Sequence, residues 1–388
     1  MTDVYGLSST ALEHIRAAAK IAAEVALPNA ADVDERGRFP NESLESLGAA
    51  GLLGLCVSRE FGGQGEGMRA FAGVVEEVAV ACASSAMVYV MHTAAAQAIA
   101  NSSVIADRES ILKEIAKGKH LTTLAFSESG SRSQFWAPVS KLEDSNGHFV
   151  TSASKSWVTS AAHADSYVST AQKPQAASPL ESTVYLVRRD APGVSVTSAF
   201  NGLGLRGNDS APVSLKQITV KQGDLISNPG EGPAVILQVV LPWFAIGTAA
   251  MANGLCRAAV QRTTEHLTGT GFEHDGSKLR DLPNLRARLA EMSTRTEQSR
   301  SLLGHTLDRL ENPDEMTPLF VLQCRLAALE AAVDVTDLAM KTCGGAAFSR
   351  HLAIERLFRD ARAGWVMAPT VDHLRDFIGK ALTGLPLF

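Results

Sequence analysis

Nothing in the sequence is arranged to bind a metal or to form a disulfide framework. The five cysteines (Cys56, Cys82, Cys256, Cys324 and Cys343) are odd in number, scattered and never in a CxxC pair. That pattern suits buried thiols in a reducing compartment, so a cytoplasmic protein is expected. The histidines form no HxxxH or His/Cys cluster, and no structural or catalytic metal is expected. There is no block of Lys and Arg, and the net charge is −5, which argues against electrostatic binding to nucleic acid. The stretch "MTDVYGLSSTALEHI" has no basic region followed by an apolar run, so no signal peptide is expected. A G-x-S-x-G elbow is missing too, and with it the usual signature of a serine hydrolase.

What is present is an ordinary globular balance over 388 residues, 45% hydrophobic and 20% charged, long enough for two or three packed layers. One run, Gly232 to Cys256, "GPAVILQVVLPWFAIGTAAMANGLC", has no Asp, Glu, Lys or Arg and could span a bilayer by length. It contains Gln238, Pro242 and Asn253, and its second half is rich in Ala and Gly. Those small residues suit a helix enclosed by other helices, so no membrane span is expected.

Along the chain the texture changes twice. Residues 1–120 read as a helical domain, in which "STALEHIRAAAKIAAEVALPNAADVDERG" carries apolar residues at helical spacing up to a Pro-Asn stop. Residues 121–225 read as a β domain, with Asn146-Gly147 as the turn of a hairpin. Residues 226–388 return to helix. The order predicts an α+β protein with a β domain set between two helical regions.

Two glycine motifs are set aside. "GLGLRG" (Gly202 to Gly207) has the literal spacing of a dinucleotide loop, but a strand comes after it where a helix is required. "GGQG" at Gly62–Gly65 lacks the Lys-Ser/Thr of a phosphate loop and reads as a connecting turn.

Three other segments carry chemistry when taken together. "LAFSESGSRSQ" (Leu124 to Gln134) is a polar loop of small residues at the entrance to the β domain. "KSWVTSAAHADSYV" (Lys155 to Val168) places Trp157 and Thr159 two apart, on one face of a strand, where an indole and a hydroxyl could meet a flat heteroaromatic ring. "CGGAAFSRHLAIERLFRDAR" (Cys343 to Arg362) sets a Gly pair, which permits close backbone approach, before a helix with Arg356, Arg359, Asp360 and Arg362.

In order and spacing these blocks, with "REFGGQGEG…VVEEVA" and "GLRGNDSAPVSLKQITV", resemble the acyl-CoA dehydrogenase family of flavoproteins over nearly the whole chain. The resemblance implies a helical N-terminal domain, a β-sandwich or barrel middle domain and a C-terminal four-helix bundle, assembled as a homotetramer or homodimer. It implies FAD as cofactor, an acyl thioester or related small molecule as substrate, and an acceptor protein or O2 for the electrons. By position, Ser127 and Thr159 would approach the flavin and Trp157 would pack on it. Ser133 would lie near cofactor and substrate, and Gly344 and Gly345 would line the FAD of a neighbouring subunit. Phe126 and Thr370 complete the cofactor-binding set.

The chemical centre departs from the family pattern. The family's proton-abstracting glutamate usually stands in a Glu-Gly-Thr joint after the Arg-Asp-Ala helix. In "RDARAGWVMAPT" that position is Ala368, succeeded by Pro369 and Thr370. The alternative site used by some members falls at about Phe244, beside Trp243 and Ala245, and is not acidic either. Gly-Ser-Asp has become Arg132-Ser133-Gln134.

Three readings stay open. The chain is an acyl-thioester dehydrogenase with another base, for which Asp372, Glu128 and His92 are the candidates, or with an unusually acidic substrate. Or it is a monooxygenase of the same fold using reduced flavin and O2, with His92 as a hydrogen-bond donor near the flavin. Or it is a non-catalytic member acting as a subunit or binding protein. The Ala-Pro-Thr joint itself predicts a break between two helices, with Thr370 as N-cap and Asp372 in the first turn.

Overall fold

Apolar residues at three- and four-residue intervals turn the first third of the chain into helices, described here from a computed structural model over residues 5–387. The first four residues of the N-terminal stretch lie outside the described residues. The N-terminal helices are α1 (Ser9–Ile21), α2 (Leu27–Arg36), α3 (Asn41–Ala49), α4 (Met68–Ala81), α5 (Ala83–Ala100) and α6 (Arg108–Ala116). The expected stop at Pro28-Asn29 does not occur. A wider π turn, Ala22–Ala26, joins α1 to α2 and carries the helical rod past Pro28 without a break. Asn29 Nδ2 donates to the Val25 carbonyl at 2.9 Å, and the rod ends about two turns beyond the expected stop, at Gly37 with φ 61°.

The strands are β1 (Thr122–Ala125), β2 (Glu143–Ser145), β3 (His148–Val158), β4 (Ser166–Gln172), β5 (Ser182–Arg188), β6 (Val194–Val196) and β7 (Ala211–Val220). They form one sheet in the order β1-β4-β5, with β1 parallel to β4, and an antiparallel sheet in the order β2-β3-β7-β6. Phe149, Val213, Leu215 and Val220 of the second sheet share a buried core with Tyr167, Ala171, Tyr185 and Val187 of the first. The Asn146-Gly147 turn joins β2 to β3 with φ values of 48° and 88°, the left-handed pair such a hairpin needs.

Helix resumes with α7 (Gly232–Ala234), a second π turn (Val235–Val240) placed just before Pro242, and α8 (Leu241–Gly269). Then come α9 (Pro283–Glu311), α10 (Thr317–Cys343), α11 (Gly345–Phe348), α12 (Ile354–Val366) and α13 (Val371–Thr383). The charge-free run covers α7, the π turn and the first half of α8. The helix is long and apolar enough to cross a membrane, but every residue from Ala245 to Cys256 is buried, and α8 packs against α4, α5, α9 and α10. All five cysteines are free, and four of them are buried.

The "GLGLRG" stretch is a packing loop. A Cβ on Gly204 would stand 2.4 Å from the Arg359 carbonyl oxygen and 2.8 Å from Asp360 Cα, so only glycine lets the loop lie on α12. Leu205 N donates to Asp360 Oδ1 at 2.6 Å, and Arg359 forks onto Asp34 of α2. The Arg-Asp run of α12 thus ties the bundle to both the β domain and the N-terminal helices. Burial pushes the Asp360 carboxyl up to about 6.

Candidate active site

The joint between α12 and α13 is built as its sequence predicts. α12 ends at Val366, the Ala368–Pro369 bond is cis, and Thr370 caps α13 by accepting a hydrogen bond from the His373 amide at 3.3 Å. Ala368 stands where the resemblance places a glutamate. Asp372 lies in the first turn of α13, as expected, but its side chain is 93% exposed and faces Arg375 at 3.4 Å. It is a solvated helix-terminal charge.

Two further candidates are locked. Glu128 is buried with Lys155, whose Nζ donates to Oε1 at 2.7 Å. Oε2 accepts from the amides of Val139 and Ser140, each at 2.7 Å, and Ser140 Oγ donates to Oε1 at 2.5 Å. Burial pushes the carboxyl up, but the Lys155 charge and these donors outweigh it and hold Glu128 below its usual range. All its acceptor capacity goes to holding the 126–140 loop on the sheet, so it is a structural anion with no free oxygen for a substrate proton. His92 is fully buried on α5. One ring nitrogen, Nε2, donates to the Leu53 carbonyl at 3.1 Å, and the other, Nδ1, accepts from the Thr122 amide at 3.2 Å. Burial pushes it down to about 4, so it is a neutral ring with neither nitrogen left for a flavin or a substrate.

The loop from Phe126 to Gln134 runs beside β3. Ser127 O accepts from Ser156 N and Ser129 N donates to Ser154 O, both at 2.9 Å. Phe126 is buried, Ser133 is half-buried, and Arg132 and Gln134 are exposed. Just beyond, Trp136 makes edge contacts with His373 and Phe377 of α13, with ring centroids 5.6 and 5.5 Å apart. These contacts bring the small-residue loop of the β domain and the Thr370 helix into one neighbourhood.

Trp157 and Thr159 do not share a face. Trp157 has φ 55° within a β-bulge between Lys155 and Val158, so the two-residue alternation expected from the sequence is broken at this point. Its indole is 68% exposed, steadied by an edge contact with Phe200, while Thr159 is buried and shares a 3.0 Å hydrogen bond with Ser210. An exposed tryptophan held in a strained backbone is a flat surface open to a flat partner. Gly344 (φ 56°) and Gly345 end α10 with open space where a Cβ would go, and Phe348 beyond them is 82% exposed. The exposed indole and the open glycine cradle both fit a flavin nucleotide; Thr159 fits it less well, since its hydroxyl is already paired.

One residue at the joint is not marked by any of the sequence motifs. Arg325 of α10 is fully buried. Its Nε donates to Thr248 Oγ1 at 3.1 Å, Nη1 to the Pro369 carbonyl at 2.8 Å and Nη2 to the Met367 carbonyl at 3.1 Å. Its guanidinium lies 4.9 Å from the centroid of the Phe244 ring. Burial pushes it down to about 9. The sequence does hold a signal for it, a lone arginine inside "LFVLQCRLAALEAA".

Comparison with known proteins agrees with this architecture. Residues 9–119 match the acyl-CoA dehydrogenase N-terminal domain, residues 123–218 its middle domain and residues 230–383 its C-terminal domain. The chain is 26% identical over 361 residues to cyclohex-1-ene-1-carbonyl-CoA dehydrogenase of Syntrophus aciditrophicus, covering 92% of this chain and 85% of that protein. The structure of glutaryl-coenzyme A dehydrogenase in complex with glutaryl-CoA superposes with a TM-score of 0.92 at 21% identity, over 99% of this chain and 97% of that one. Butyryl-CoA dehydrogenase from Megasphaera elsdenii gives a TM-score of 0.92 at 20% identity, over 98% and 99%.

Proposed function

We propose, from the premise that this chain belongs to the acyl-CoA dehydrogenase family, that it is an FAD-dependent oxidoreductase acting on an acyl thioester without a carboxylate base at the joint. The observation that carries the reading is the bulge that presents Trp157, 68% exposed, beside the 126–134 loop. FAD, when bound, would supply the hydride acceptor. Trp157 would stack on it, Phe126, Ser127 and Ser133 would bound it from the loop, and Thr370 would offer its hydroxyl, while the Thr159 hydroxyl is engaged by Ser210. Gly344 and Gly345 lie at the opposite end of α10 from Arg325, roughly 28 Å along the helix at 1.5 Å per residue. One chain therefore does not gather both sets of residues around one ring, which supports a homo-oligomer in which a second copy completes the site.

With Ala368 at the joint, Phe244 at the alternative position, and Glu128 and His92 locked, no described side chain at these positions is free to take a proton. Desaturation would then draw on another group near the joint, where Asp372 is solvated and His373 Nδ1 is buried with no hydrogen-bond partner among the described residues, or on a substrate whose α-proton is already acidic. The same lack of a base supports a second reading, a monooxygenase working from reduced flavin and O2, which needs no glutamate there. A cytoplasmic location fits the five free thiols.

The test is the visible spectrum of the purified chain, then anaerobic addition of acyl-CoAs. A bound yellow flavin that bleaches supports the dehydrogenase. Colourless protein that takes up reduced flavin supports the monooxygenase. No flavin affinity in either redox state would sink both and leave a binding or subunit role.

A further inference from the structure

We propose that Arg325 is a positioning residue: it clamps the joint between α12 and α13, and so sets where Thr370 stands relative to the cofactor. The proposal rests on the FAD reading and adds to it a residue that none of the site motifs contains.

Arg325 holds three pieces of the bundle at once. Thr248 belongs to the second turn of α8, Phe244 to its first, and the Met367 and Pro369 carbonyls to the joint. Those two carbonyls lie on either side of Ala368. A helix end leaves its last carbonyls without partners, and Pro369 brings no N–H that could help pair its neighbours. The planar fork of a guanidinium can reach two carbonyls spaced this way, while a lysine presents a single point charge. A buried cation is costly, and no ion pair among the described residues involves Arg325. If the helices needed only filling between α8 and α10, an aliphatic side chain would serve without that cost. The groups that Arg325 satisfies are the joint's own backbone oxygens, so the structural return for its burial is the position of residues 367–370. From the other side Thr370 is fixed by its cap on the His373 amide. Loss of Arg325 would free the N-terminal half of the joint and let Thr370 move without altering any residue proposed to touch the flavin.

The experiment compares full-length wild type, R325K and R325M, each titrated with FAD well below its melting temperature. Binding is tracked by quenching of flavin fluorescence and by the visible spectrum of the bound flavin. R325M is expected to raise the FAD dissociation constant by roughly tenfold, the fold-change of one contact at Thr370 weakened by about 1.4 kcal/mol. R325K is expected to fall between R325M and wild type, and both to shift the flavin spectrum. A merely structural role predicts lower melting temperatures with wild-type affinity and spectrum, and that result overturns the proposal. If R325M does not fold, R325K decides by the same comparison. Wild type that binds no FAD overturns the cofactor reading and this proposal together, whereas wild-type binding matched by R325K overturns this proposal alone.

Discussion

Glu128→Gln separates an anchor from a catalytic base. In the native chain one carboxylate oxygen takes Lys155 Nζ and Ser140 Oγ, and the other takes the Val139 and Ser140 amides. A glutamine has only one acceptor oxygen. If that oxygen keeps the two amides, the NH2 group points at the Lys155 ammonium, and a fully buried cation keeps only the Thr170 carbonyl at 2.7 Å. Breaking a buried pair in this way costs about 3–5 kcal/mol. Urea unfolding monitored by circular dichroism should therefore show a lower midpoint for E128Q. The double variant E128Q/K155M, which removes the orphaned charge, should recover most of the loss. The pH dependence has a definite sign. The folded Glu128 lies below the unfolded carboxyl value of about 4.3, so its contribution is present above that value and is lost as pH falls through the lowered one. E128Q should lack that acid loss. An E128Q protein that unfolds at the wild-type midpoint, yet has lost turnover with an altered pH–rate profile, would make Glu128 the base and refute the structural assignment.

Three other perturbations bear on the fold and the site. Gly204→Ala puts a methyl 2.4 Å from the Arg359 carbonyl oxygen, and should lower stability by about 1–3 kcal/mol in thermal unfolding as the loop lifts from α12. Asp360→Asn should be isosteric and more stable at neutral pH, by up to about 3 kcal/mol. Burial raises the folded carboxyl to about 6, so wild-type stability falls as pH rises from about 4 to about 6, and D360N should not show that fall in melts across the same range. Trp157→Ala should leave the melting temperature of the FAD-free chain nearly unchanged, since the indole is 68% exposed. It should weaken FAD binding about tenfold at most by fluorescence titration, the scale of a lost aromatic contact; unchanged affinity would remove Trp157 from the cofactor site.

The features legible in the sequence were local or carried by composition. Asn146-Gly147 specifies its hairpin because few other pairs adopt two positive φ values. Ala368-Pro369-Thr370 breaks the helix because Pro369 forbids its continuation and Thr370 can cap the next one. The misses share a physical cause, a change of phase that periodicity does not record. A π turn let the first helix carry Pro28, and a bulge at Trp157 put Thr159 on the buried side. Partners distant in sequence were equally hidden. Glu128 and Lys155 are 27 residues apart, and Arg325 and the Pro369 carbonyl are 44 apart. In each case the residue type was visible and its partner was not.

The missing carboxylate and the buried arginine make more sense together than apart. A glutamate at position 368 would be one residue from each of the two carbonyls that Arg325 holds. Its ionised form would be favoured by that cation, which lowers a carboxyl's pKa and weakens it as a proton acceptor. A general base normally contributes about 10²- to 10⁴-fold in rate, but only when its pKa is matched to the work. Beside Arg325, the cation would take away part of what a carboxylate gives. In this chain the joint therefore presents a backbone held by Arg325 where the resemblance places a carboxylate.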